Sequence, residues 1–121
     1  MQKIIIYSLA LTIFLTAFAG HQAVASDAKT TKAITAAEYF LILIDTSQYA
    51  QSWETSSSFF RKQVPRETWV KQISSLRPAF GKVTNRQILN AQFVTELPGA
   101  PDGQYVVIQY NTSFFYPKKR I

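Results

Sequence analysis

The apolar residues of this chain change period once, at Val83, and that change decides its fold class. Before it they recur at helical spacing, and after it they alternate. Ala36, Ala37, Phe40, Leu41 and Ile44 form the first helical stripe, and Ile42 and Leu43 widen it so that more than one side needs cover. Thr35-x-x-Glu38 has the form of a capping box, which predicts a helix start near Thr35. Asp45-Thr46-Ser47 ends that helix and offers an N-cap for a second one carrying Tyr49 and Trp53. Ser56-Ser57-Ser58 interrupts it, because serine competes for backbone hydrogen bonds. A third helix is expected from Pro65, with Glu67 in its first turn and Trp69, Val70, Ile73 and Leu76 on its buried face. Arg77-Pro78 stops it and Gly81 turns the chain.

Past Val83, residues Leu89, Ala91, Phe93, Thr95 and Leu97 share one face of a long strand. Pro98 to Gly103 is a turn rich in residues that punctuate chains, and Gln104 to Phe115 is a second strand. Helices followed by an antiparallel hairpin imply an α+β fold, with N-terminal helices packed on a curved antiparallel sheet. Two strands are too few to cover three amphipathic helices, so the sheet is expected to be incomplete. The outer edge of the second strand, flanked by Val106, Ile108, Tyr110 and Phe114, is expected to pair with another chain as an edge-strand homodimer.

The start of the chain reads as an export signal. Met1-Gln2-Lys3 gives a positive start, Ile4 to Ala19 an apolar run, and Ala23-Val24-Ala25 a small-residue cleavage motif. Cleavage near Ala25 predicts a periplasmic or secreted protein, with the membrane met only through this segment. The expected layout is a signal at 1–25, a flexible tail at 26–32, one domain at 33–116 and a basic tail at 117–121.

Removing the signal removes Met1 and His21, the only residues of their kinds, and the chain has no cysteine. A mature chain without Cys or His has no disulfide, no thiol nucleophile and no ordinary zinc, copper or haem ligand set. It also has no group that titrates near pH 7 when unperturbed. No cofactor and no metal are expected. Of 13 basic side chains, 12 remain once Lys3 leaves, against seven acidic ones, a net of +5. The cations are dispersed apart from Lys118-Lys119-Arg120, which argues for a solvated surface rather than nucleic-acid binding.

Ala36-Ala37-Glu38, Asp45 with Tyr49, Ser52-Trp53-Glu54, Phe59-Phe60-Arg61, Trp69 and Arg77 carry a family resemblance. So does the run from Leu97 to Tyr110 (LPGAPDGQYVVIQY), followed by Thr112-Ser113-Phe114. Over residues 33 to 115 the chain resembles the small exported bacterial domain-of-unknown-function 4019 family. That resemblance implies a cone-shaped, nuclear-transport-factor-2-like fold and an envelope location, but no activity. Related sequences continue into a further hairpin with an Asp-Gly-x-Trp-Arg-Val-type segment. Here Phe115 to Ile121 stands in its place, so the resemblance implies a C-terminally truncated member.

Two functions fit these residues. The first is a non-catalytic module that binds a small apolar ligand or an envelope protein in the cup between helices and sheet, with Tyr49, Trp53, Phe59, Trp69 and Tyr110 as lining. The second is a hydrolase or isomerase of low chemical demand, built on Asp45 or Glu54 with a tyrosine. It requires a carboxylate that points into the concavity beside that tyrosine. Asn111-Thr112-Ser113 fits a glycosylation triplet but lies inside a strand, and the Pro98–Gly103 loop lacks the lysine of a phosphate loop.

Overall fold

The structure, a computed structural model, describes residues 22–117. The expected signal lies outside them except for its last four residues, and so does the basic run Lys118-Lys119-Arg120. Helix α1, Gln22–Asp45, is longer than the sequence suggests. Residues 26–32, expected as a flexible tail, are helical, and Thr35 lies mid-helix instead of at a cap. The threonines account for this. Thr31 Oγ1 donates to the Asp27 carbonyl at 2.9 Å and Thr35 Oγ1 to the Thr31 carbonyl at 3.1 Å. A hydroxyl that bonds back one turn is spent within the helix rather than at its start.

The chain leaves α1 through Ser47 in the left-handed region (φ 63°), while the Gln48 N–H reaches the Leu43 carbonyl at 2.8 Å. Helix α2 is Tyr49–Glu54, with Gln48 rather than a residue of the Asp45–Ser47 run at its N-cap. The serine run breaks the chain as expected. It also starts α3, Ser58–Gln63, where Ser57 Oγ accepts from the Phe60 N–H at 3.1 Å. Helix α4 is Arg66–Leu76, with Pro65 just outside it. It tightens into a 3-10 turn, Arg77–Phe80, that Gly81 ends. At φ 80° a Cβ on Gly81 would overlap the Phe115 carbonyl oxygen, so only glycine fits there.

Strands β1, Lys82–Val94, and β2, Tyr105–Phe115, pair antiparallel and form a two-stranded, unclosed sheet. The fold is α+β: four helices against an incomplete antiparallel sheet. Helix α1 packs on both strands and on α2, and α2 packs on α4. The core lies between α1 and the sheet, where Ala33 and Ala37 meet Val106, Ile108 and Tyr110. The alanines let the helix axis come close to the strands. No helix among the described residues is long and apolar enough to cross a membrane.

β1 does not alternate cleanly. Its register shifts between Val83 and Asn85 and again between Ile88 and Asn90, leaving Thr84 and Leu89 as bulged residues. The second bulge puts Ile88, not Leu89, opposite Tyr110. Leu89 is therefore 56% exposed, while Ala91 and Phe93 pack on the core. This corrects the expected five-residue face. Thr95 and Leu97 lie beyond the strand, in the turn.

Candidate functional site

Asp45 is the last residue of α1. A carboxylate there faces the negative end of the helix dipole and gains nothing from it. Two arginines supply what the helix does not. Arg86 Nη1, from β1, lies 2.6 Å from Oδ2, and its Nη2 lies 3.2 Å from Oδ1. Arg77 Nη2, from the 3-10 turn, donates to Oδ1 at 3.1 Å, with Nε at 3.4 Å. All three side chains are mostly buried. Arg77 also donates to the Gly81 carbonyl and lies 4.9 Å over the Phe114 ring, while Arg86 Nε reaches Thr112 Oγ1 at 3.3 Å. The cluster fastens the end of α1 to the 3-10 turn and both strands.

Both Asp45 oxygens accept guanidinium hydrogen bonds. Glu54 is 57% exposed and pairs with Arg66 at 3.5 Å on the surface.

The five residues expected to line a ligand site fall into separate places. Trp69 is half-buried among helices: its ring meets Phe60 edge-on at 5.2 Å and Phe40 at 6.2 Å. Its indole N–H donates to Ser52 Oγ at 3.0 Å. Its expected place lining the cup between helices and sheet is therefore corrected to helix–helix packing. Trp53 donates to the Val64 carbonyl at 2.7 Å and carries the Arg61 guanidinium 5.8 Å over its ring. Tyr49 is buried in α2 and Phe59 is half-buried in α3. Tyr110 belongs to the other cluster, with Ala33, Ala37, Val106 and Ile108.

The Tyr110 hydroxyl is buried and has no hydrogen-bond partner among the described residues. Burial raises its pKa above the usual value of 10.0, the nearby Glu38 charge raises it further, and Arg86 pulls it partly back. Such a phenol stays neutral. The Gln104 amide oxygen is likewise buried without a partner, beside a cavity of about 50 Å³ among Lys29, Lys32, Ala33, Ala36, Phe93 and Val106. That space holds a few waters and falls well below the roughly 300 Å³ at which ligand pockets begin.

Sequence reasoning singled out Asp45 but not its partners. An acidic residue at a helix C-terminus was the available signal, since it requires cations from elsewhere. Nothing in the sequence pointed to the buried Gln104.

Residues 36–121 match a family described as a protein of unknown function (DUF4019). The chain belongs to that family. The matched span starts midway along α1 and takes in Asp45, Arg77, Arg86, both tryptophans and Tyr110. No significant match to the chain exists among curated proteins or solved structures.

Proposed function

We propose that this domain is an exported, non-catalytic interaction module that takes a partner strand on the open edge of its sheet. The observation that carries this is the filled concavity. Ala37 and Ile108 are 0% and 1% exposed between α1 and the sheet, and the space left beside them is about 50 Å³. A cavity of that size is too small for a drug-sized apolar ligand. By contrast, residues 106–115 have backbone hydrogen bonds only toward β1 among the described residues, so their outer side offers an edge for strand addition. The long α1 lying on an antiparallel sheet supports the cone-shaped, nuclear-transport-factor-2-like arrangement, and the charge, apolar run and Ala23-Val24-Ala25 motif support export.

Hydrogen exchange tests the docking edge. At dilute protein concentration, an uncharged peptide of alternating threonine and valine should slow exchange of the outward-facing amides of residues 106–115. If no such peptide protects them, the reading fails. One-to-one uptake of an apolar dye, abolished by Ala37→Leu, would return the function to the concavity. Fractionation of cells carrying the full chain tests export, with Ser26 as the expected mature N-terminus.

A further inference from the structure

The two open edges of the sheet are unlike. β1 starts with the exposed Lys82 and is bent by bulges at Thr84 and Leu89. Charges and bulges are the devices by which proteins keep an edge strand from pairing with a neighbour. β2 has none of them: Tyr105–Phe115 (YVVIQYNTSFF) contains no charged residue, no proline and no glycine, and its register is unbroken. The β1 edge is guarded and the β2 edge is not.

We infer that the strand docking on β2 is β2 of a second copy of this chain, antiparallel to it, giving a four-stranded sheet in the order β1-β2-β2-β1. This rests on the reading of the β2 edge as the docking surface and names its occupant. Three observations select the second copy. An eleven-residue strand without charge offers a foreign strand nothing to recognise by charge, and its best match in neutrality and length is itself. The charges at its two ends are opposite in sign. Asp102 precedes the strand, and the exposed Lys82 of β1 pairs with Phe115 at its other end. Antiparallel copies therefore bring the acidic end of one beside the basic end of the other, whereas parallel copies would set like against like. Finally, Val106, Ile108 and Tyr110 form one buried row on the helix-facing side, and a two-fold junction continues that row into the partner, as an isologous interface requires.

Pairing along one strand gives an interface smaller than the roughly 1,200 Å² of a standard complex, so the affinity is weak. Gln109 is the exposed residue near the middle of β2 and serves as the probe. Sedimentation equilibrium of the mature chain up to about 300 µM, a range that reaches micromolar dimers, should show a reversible dimer. Gln109→Lys should weaken it at least about tenfold by opposing like charges across the junction, with an unchanged circular dichroism spectrum. Gln109→Glu should do the same alone. An equal mixture of the Lys and Glu variants should recover the dimer, a rescue that a general loss of folding cannot produce. A wild-type monomer throughout overturns self-pairing, as does a dimer indifferent to both substitutions. If that monomer still protects residues 106–115 with the neutral peptide, the docking edge stands and only its occupant is wrong.

Discussion

Asp45 and Arg86, 41 residues apart in sequence, meet with Oδ2 2.6 Å from Nη1, and Arg77 donates to the same carboxylate at 3.1 Å. One acid thus pairs with two bases drawn from a 3-10 turn and a strand. Asp45→Asn removes that charge and leaves two guanidinium groups facing each other in a mostly buried site. Removing one partner from a buried ion pair costs about 3–5 kcal/mol, and the residual exposure here places the expectation near the low end. The urea midpoint should fall accordingly. An unchanged midpoint would mean that solvent already screens the cluster.

Trp69 gives a second measurable expectation. Trp69→Ala should cost about 2–3 kcal/mol, below the range for an aromatic lost from a fully buried core, because Trp69 is half-buried. Trp69→Phe keeps a ring against Phe60 but loses the donor to Ser52 Oγ, and should cost about 1 kcal/mol. Thermal melts of the two variants should separate clearly. Equal losses would mean that the hydrogen bond, not the packing, holds the helices together.

Tyr110 sets a pH dependence. Its folded-state pKa lies above 10.0, the ordinary value. Above that ordinary value the unfolded chain loses the phenolic proton while the folded one keeps it, so the unfolded state binds fewer protons. Stability is fully present below pH 10 and falls as pH rises through the folded value. Tyr110→Phe should remove this part of the alkaline slope. At neutral pH it should cost little, because the hydroxyl it deletes has no partner to lose. A wild-type and variant pair with parallel melting curves from about pH 9 upward would refute the buried position of the phenol.

The order of elements was legible because α4 and β2 carry long, regular apolar patterns. Pro65, Pro78 and Gly81 also mark boundaries by the conformations they permit. The true start of α1 was hidden. Thr30 and Thr31 read as part of a polar tail and Thr35 as a helix cap, and only the structure shows Thr31 and Thr35 returning their hydroxyls to the helix backbone. The bulge at Leu89 was hidden for another reason: alternation in the sequence continues through it, and only the pairing of Ile88 with Tyr110 reveals the slip. Trp69 was placed against the sheet because a helix phase says which residues share a face but not which element covers it. Asp45 was visible as an acid, while Arg77 and Arg86 were 32 and 41 residues away with no local pattern to tie them to it.

The bulges of β1 carry a consequence for how far association can go. If two chains join through β2, the resulting sheet has β1 at both margins, each kinked at Thr84 and Leu89 and carrying Lys82. Neither margin is a template for another strand. Growth then halts at a closed pair of chains, and the neutral strand that looks most like a fibril seed is used up in the first step.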